Sequence, residues 1–209
     1  MALFARGEEV TSIAEELGDR ALGVRVDITD AADVEQALAR VDAAFGGVDV
    51  LVNNAAAHRG GLLESLADED WDLVLDVNLS APFRLMRALR PHLAPGAAIV
   101  NVGAVVGFRG FPGDAPYGAA KAGLAGLTRV LAVELARHGV RVNLVVPGFV
   151  NTSLTEGIEE RARQRILQRI PMRREGSAEE IAEVIDWVSR CAYMTGAVVP
   201  VDGGLSANL

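Results

Sequence analysis

Tyr117 and Lys121 are the residues whose types and spacing most clearly favour chemistry. They stand four positions apart in "YGAAK", at what reads as the beginning of a helix, so their side chains share one helix face. A free tyrosine has a pKa of about 10, too high for efficient proton transfer at neutral pH, whereas a nearby lysine cation favours the phenolate. The sequence therefore predicts an acid–base pair in which Lys121 lowers the pKa of Tyr117.

Short, nearly continuous apolar runs alternate with longer segments of helical spacing, and these are the elements that must position the pair. The runs that read as strands are 21–27, 48–54, 97–103, 140–146 and 196–201, and residues 1–5 resemble the end of another strand. The segments with helical spacing are 8–17, 30–45, 68–93, 117–138 and 177–190. Ser177 and Glu180 form a capping-box pattern at the beginning of the last helix. This alternation predicts an α/β fold with a doubly wound parallel sheet.

The bulk composition limits the classes of partner. The chain has 209 residues and is predicted to form one domain over 1–209. A net charge of −8 without a basic stripe disfavours nucleic acid and anionic membrane surfaces, and no apolar run approaches the length of a membrane span. The single cysteine, Cys191, cannot form an internal disulfide, which fits a reducing cytoplasm. The three histidines lack metal-ligand spacing, so we predict no metal.

Six motifs in a fixed order carry a family resemblance. They are "VDITD" (26–30), "NNAA" (53–56), "DVNLSAPF" (76–83), "YGAAK" (117–121), "VVPGFVNT" (145–152) and "VDGG" (201–204). Each motif is weak alone, but together they resemble the short-chain dehydrogenase/reductase family over almost the whole chain, up to about residue 204. The resemblance implies a Rossmann-like doubly wound sheet.

The resemblance assigns roles to the candidate catalytic residues. In the family, the residue matching Tyr117 donates or takes the proton of the carbonyl or alcohol, and the one matching Lys121 also holds the nicotinamide ribose. Asn78 matches the asparagine that supports a water relay to the lysine. The catalytic serine of the family falls on Ala104, and no serine or threonine between 101 and 116 replaces it.

The resemblance also implies a nicotinamide site. Arg6 follows the first strand where no acidic residue binds the ribose 2′-hydroxyl, and an arginine there can meet a 2′-phosphate, so NADP(H) is the predicted cofactor. The predicted cofactor-binding residues are Arg6, Asp27, Asn53, Ala55, Lys121, Pro147, Gly148 and Val150. His58 and Arg59, which follow the "NNAA" turn, are interpreted as a solvated loop.

The first structural unit of the family is not found in this sequence. Family members begin with a strand, a glycine-rich turn and a helix that cradle the pyrophosphate, and the first strand lies in the middle of the sheet. We therefore expect a sheet that lacks this first unit, with two strands facing a gap. Three hypotheses address it: a start upstream of Met1, loss of hydride transfer, or a partner chain or swapped segment that fills the gap.

Two functions remain open at this point. The first is NADP(H)-linked reduction of a carbonyl or oxidation of an alcohol, impaired by Ala104 and by the missing glycine-rich loop. The alternative is a redox-inactive homologue that uses Tyr117 and Lys121 for cofactor-independent acid–base chemistry, as a dehydratase, isomerase or cyclase, or as a ligand-binding protein. The resemblance further implies a small-molecule carbonyl or alcohol substrate and a homodimer or homotetramer.

Overall fold

The computed structural model describes residues 1–207 and alternates parallel strands with helices. The strands are β1 (Ala2–Ala5), β2 (Leu22–Arg25), β3 (Val48–Asn53), β4 (Leu93–Val102), β5 (Arg141–Pro147) and β6 (Val198–Val201). The helices are α1 (Glu9–Glu16), α2 (Ala31–Phe45), α3 (Asp68–Leu75), α4 (Ala81–Leu89), α5 (Ala115–Ala136), α6 (Glu160–Arg169) and α7 (Ala178–Arg190). Each predicted strand is therefore confirmed.

The strands pair only in parallel, as the continuous apolar runs predict, but they form two sheets. β1 pairs with β2, whereas β3, β4, β5 and β6 form a second sheet in that order. Within residues 1–207, β1 and β3 are not hydrogen-bonded to each other. On β3 the side chains of Val50 and Val52 are 44% and 40% exposed, which is unusual for a strand inside a doubly wound sheet.

Buried apolar side chains on both faces hold the second sheet. The central strands β4 and β5 are buried almost throughout, with Ile99, Val142 and Leu144 at 0% exposure. A separate cluster joins the two sheets, because Phe4 of β1 and Leu51 of β3 both pack against its buried members. Burial on both faces explains why these strands lack the alternation of a half-exposed strand.

The segment predicted as helical over 68–93 is interrupted in the middle. α3 ends at Leu75, a π-helical turn covers Asp76–Ser80, α4 follows, and a short 3₁₀ turn covers Arg90–His92. The amide of Ala81 donates to the carbonyl of Asp76, five residues back, and Pro82 has no N–H for the carbonyl of Asn78. The sequence therefore places an irregular turn at Asn78, and such turns are frequent at functional sites.

The other predicted helices are confirmed, and one further helix, α6, was not predicted. α5 begins at Ala115 with Pro116 in its first turn, and α7 begins with the predicted capping box of Ser177 and Glu180. α6 was not predicted, because its apolar positions are few among charged residues and its stability depends on packing against the rest of the chain. No helix within residues 1–207 is both long and apolar enough to cross a membrane.

Candidate active site

The predicted site residues lie at or beyond the carboxyl ends of strands, or on α5 and the π-helical turn. Arg6 follows β1, Asp27 follows β2, Ala55 follows β3, Ala104 follows β4 and Gly148 follows β5. In a parallel sheet these ends share one edge, which is where open α/β folds bind ligands. The strand order therefore brings Arg6 and Asp27 together at this edge of the first sheet, and Ala55, Ala104 and Gly148 together at this edge of the second.

Tyr117 and Lys121 form a buried pair in the first turns of α5. Tyr117 is 9% exposed and Lys121 is 2% exposed, and the Lys121 Nζ lies 5.5 Å from the centroid of the Tyr117 ring. Nζ donates a hydrogen bond of 2.8 Å to the carbonyl of Val102, the last residue of β4. This contact ties the lysine to the strand end and fixes its position relative to the phenol.

Ala104 occupies the segment that packs on the beginning of α5. Its backbone is extended (φ −161°, ψ 153°), and a 3₁₀ turn over Val105–Gly107 follows. A Cβ atom on Gly107 would lie 2.8 Å from the amide nitrogen of Ala122, so only glycine allows this close approach of the turn to α5. The methyl group of Ala104 offers no hydrogen-bond donor at this point.

The ionisation of the pair differs from the sequence-based expectation. Burial, and to a smaller degree the charge of Asp114, raises the pKa of Tyr117 to about 12. Burial also lowers the pKa of Lys121 to about 8. The net shift of the Tyr117 pKa is therefore upward and not downward as expected, because desolvation disfavours the charged form of both groups.

Lys121 is the only lysine in the chain, which also has 19 arginines. Because Lys121 is buried, the free energy of unfolding should depend on its protonation. Since its pKa is about 8 when folded and near 10.4 in an unfolded chain, the unfolded chain holds the extra proton between these values. The free energy of unfolding should therefore rise with pH across this window and be lowest below it. We expect Lys121→Met to raise the free energy of unfolding at pH 7 by on the order of 1–3 kcal/mol, measured by urea denaturation.

The matched control for this prediction is Lys121→Arg. An arginine cannot release its proton when buried, so this variant should be destabilised throughout and lack the rise between pH 8 and 10. A wild-type stability that does not change over this range relative to Lys121→Met would contradict the prediction.

Asn78 lies in the π-helical turn behind the pair and is fully buried. Its Nδ2 donates to the carbonyl of Ala57 at 2.7 Å and to that of Val74 at 2.8 Å. Among residues 1–207, its Oδ1 is the only buried side-chain polar atom without a hydrogen-bond partner. A buried acceptor left open in this way suits an ordered water, which fits the predicted role in a water relay.

Asn53 has a structural role that the sequence did not indicate. Its Nδ2 donates to Oδ1 of Asn101 at 2.8 Å, and Nδ2 of Asn101 donates to Oγ1 of Thr128 on α5 at 2.9 Å. All three side chains are buried, so the Asn53 amide belongs to a polar network that joins β3, β4 and α5. The expected cofactor contacts of Asn53 and of Ala55, which is exposed beyond β3, stay predictions.

His58 and Asp114 form a contact that the sequence analysis missed. His58 was interpreted as part of a solvated loop, but its Nε2 lies 2.8 Å from Oδ1 of Asp114, and its ring meets the Tyr117 ring edge to face with centroids 5.3 Å apart. Residues 58 and 114 are 56 positions apart, and no local pattern signals their pairing. The hydrogen bond that the imidazole makes to the Asp114 carboxylate raises the pKa of His58 above its usual value.

Arg6 and Asp27 are brought together at the carboxyl ends of β1 and β2. Thr29 donates to Oδ1 of Asp27 from its amide (2.9 Å) and its hydroxyl (2.7 Å), and these bonds, with help from the charge of Arg6, hold the pKa of Asp27 below its usual value. The Arg6 side chain is exposed, while its carbonyl accepts from Nε of Arg25 at 3.0 Å. An exposed guanidinium beside an ionised carboxylate fits a ribose phosphate and a neighbouring hydroxyl or amine.

The loop after β5 is held close to the end of β6. The amide of Gly148 donates to the carbonyl of Val201, and a Cβ atom on Gly148 would lie 2.6 Å from Cα of Asp202. Val150 forms an isolated parallel bridge with Gly176, so the loop leaves the sheet edge in a fixed direction. Pro147, Gly148 and Val150 therefore stand at the same edge as Lys121, where the resemblance places a nicotinamide. Within residues 1–207, no cluster of three or more potential metal ligands is present.

The chain is similar in sequence to known proteins. Residues 3–206 match the family model described as enoyl-(acyl carrier protein) reductase. Over 184 residues the chain is 42% identical to the 3-oxoacyl-(acyl-carrier-protein) reductase of Thermotoga maritima, covering 86% of this chain and 75% of that protein.

Two solved structures extend the similarity to three dimensions. A blue fluorescent protein from a metagenomic library, in complex with NADPH, has a TM-score of 0.92 at 31% identity, covering 98% of this chain and 87% of that one. A doubly substituted variant of a short-chain dehydrogenase/reductase from Serratia marcescens has a TM-score of 0.90 at 32% identity, covering 98% of this chain and 86% of that one.

Proposed function

Because the chain belongs to the short-chain dehydrogenase/reductase family, we propose that it is an oxidoreductase that interconverts a small carbonyl compound and its alcohol with NADP(H). The observation that carries this proposal is the buried Tyr117–Lys121 pair at the carboxyl edge of the sheet. The similarity to a reductase of acyl-carrier-protein substrates and to an NADPH complex supports the direction of carbonyl reduction.

The chain's own residues supply the proton of this reaction. With a pKa of about 12, Tyr117 carries its proton at neutral pH and can donate it from Oη to a carbonyl oxygen as that oxygen gains charge. Lys121 is cationic below about pH 8 and favours the phenolate that remains. A water at the open Oδ1 of Asn78 could return a proton towards Lys121. When bound, NADPH supplies the hydride that the carbonyl carbon accepts.

The cofactor contacts stay part of the proposal. Lys121 and the loop containing Pro147, Gly148 and Val150 would hold the nicotinamide end, and Ala55 would lie against the cofactor beyond β3. Asp27 would lie near the adenine and Arg6 would bind the 2′-phosphate. The single charge of Arg6 then decides the preference for NADPH over NADH.

A fluorescence titration with NADPH and NADH tests the cofactor assignment. We expect saturable NADPH binding, and we expect Arg6→Ala to weaken it about tenfold while leaving NADH binding unchanged, because only NADPH carries the 2′-phosphate. Arg40→Ala, which removes an exposed charge from α2, is the matched control and should change neither. Equal losses for NADPH and NADH in Arg6→Ala would contradict the phosphate contact, and no binding by the folded chain would contradict the oxidoreductase proposal.

A second function is favoured by Ala104 and by the His58–Asp114 pair. An alanine at the family's serine position removes a donor that hydride transfer uses, while His58, Asp114, Tyr117 and Lys121 supply acid–base groups without any cofactor. We propose non-redox acid–base chemistry, as in a dehydratase, isomerase or cyclase, or ligand binding, as this alternative. Turnover in the complete absence of nicotinamide would favour it.

The assembly and location are also proposals. Phe83 of α4 and Val130 and Val133 of α5 are 40%, 55% and 79% exposed, an apolar surface that favours pairing with a second copy as a homodimer or homotetramer. The single cysteine, Cys191, is free, which fits the reducing cytoplasm.

A further inference from the structure

Two loops meet over the phenol of Tyr117, and polar contacts join them. The first follows β3 and carries His58, and the second precedes α5 and carries Asp114. The amide of Gly61 donates to the carbonyl of Gly113 at 2.9 Å, and a Cβ atom on Gly60 would lie 2.6 Å from that same oxygen. The backbones of the two loops therefore touch, and this close approach brings His58 and Asp114 within hydrogen-bond distance.

The paired side chains flank the ring that carries the reacting proton. The imidazole of His58 stands at 81° to the Tyr117 ring with centroids 5.3 Å apart, and Asp114 immediately precedes α5, three positions before Tyr117. The side chains of His58 and Asp114 are 37% and 26% exposed, so solvent reaches the pair.

We propose that His58 and Asp114 act as a positioning pair for Tyr117. They hold its ring from the loop side and set the net charge near its hydroxyl. At pH values below the pKa of His58, the positive charge of its imidazolium offsets the negative charge of the Asp114 carboxylate. Above it the charge of Asp114 stands alone beside the phenol and opposes loss of the phenolic proton. Tyr117 is thus a better proton donor when His58 is protonated.

Other charged groups also lie around His58. Arg59 lowers the pKa of His58, but the hydrogen bond to the Asp114 carboxylate has the larger, opposite effect. Arg59 also lies 4.0 Å from a carboxylate oxygen of Asp70, which partly offsets its charge. Lys121 has a pKa of about 8, so its titration gives a separate step in a pH profile.

An ultraviolet titration of tyrosine tests the inference without cofactor or turnover. The chain has only two tyrosines, so Tyr193→Phe, which replaces a fully exposed ring, leaves a spectrum that reports Tyr117 alone. In this background Asp114→Asn should move the phenolate transition to lower pH, a change of about two- to tenfold in proton affinity. His58→Gln should leave the transition in place, because His58 is already neutral at that pH.

The pH profile of carbonyl reduction gives a second measurement, which rests on the proposed function. As pH rises through the His58 pKa, kcat/KM should fall about two- to tenfold, and His58→Gln and Asp114→Asn should each remove this step. The transition due to Lys121 should remain in both variants. A profile that keeps the step in His58→Gln would overturn the inference even in an active enzyme.

A like pair elsewhere in the chain supplies the control. His92 lies 3.3 Å from Asp42, away from Tyr117, so His92→Gln and Asp42→Asn should change neither the tyrosine transition nor the pH profile. Thermal melting of each variant shows whether it is folded. An unchanged Tyr117 transition in a folded Asp114→Asn protein overturns the inference, whereas failure to bind NADPH overturns the proposed function and leaves the ultraviolet result standing.

Discussion

Replacing Tyr117 by phenylalanine should lower kcat/KM for carbonyl reduction by about 10²–10⁴, because it removes the hydroxyl that we propose donates the proton while keeping the ring. The variant should still bind NADPH, since the aromatic packing against His58 and the position of Lys121 do not depend on the hydroxyl. The measurement is steady-state NADPH oxidation with a carbonyl substrate, together with the cofactor titration on the same preparation.

Tyr193→Phe is the matched control for this prediction. Tyr193 is fully exposed, so removing its hydroxyl should leave both activity and NADPH binding at the wild-type level. Activity retained in Tyr117→Phe would mean that another group donates the proton. Loss of NADPH binding together with activity would mean that the phenol holds the cofactor rather than the reacting oxygen.

Local sequence patterns were sufficient for the sheet because its strands carry their signal within a few residues. The runs over β4 and β5 are apolar and β-branched almost without interruption. Both faces of these strands are buried, so their sequences do not alternate between polar and apolar residues. The expected gap depended on the family resemblance rather than on any local pattern, and the missing first unit stays a prediction. α6 was missed because its helical state depends on packing against the rest of the chain.

The site residues were harder to predict where their behaviour depends on three-dimensional surroundings. The spacing of Tyr117 and Lys121 placed both on one helix face, but spacing does not reveal burial, and burial reverses the expected direction of the tyrosine pKa. Asn53 appeared as a strand-end residue, yet its partner Asn101 lies 48 positions later on a neighbouring strand. His58 and Asp114 likewise meet only after the two loops are brought together.

Residue 104 offers a direct test of the predicted impairment of carbonyl reduction. Its backbone is extended, a conformation that any residue adopts, and its side chain is half-buried beside the 3₁₀ turn, so a serine fits without strain. A preorganised donor aimed at a developing oxyanion is worth about 10²–10³ in rate. We therefore expect Ala104→Ser to raise kcat for carbonyl reduction by about this factor, with NADPH binding unchanged.

The controls separate a hydrogen bond from a change of shape. Ala104→Cys adds a side chain of similar size with a much weaker donor, and it should give little of the gain. If the serine and the tyrosine act on the same substrate oxygen, the gain should disappear in a Tyr117→Phe background, because the two effects are then not additive. A folded Ala104→Ser protein that binds NADPH but gains no activity would mean that residue 104 does not face the reacting oxygen. Turnover without nicotinamide that Ala104→Ser diminishes would then favour non-redox acid–base chemistry at Tyr117.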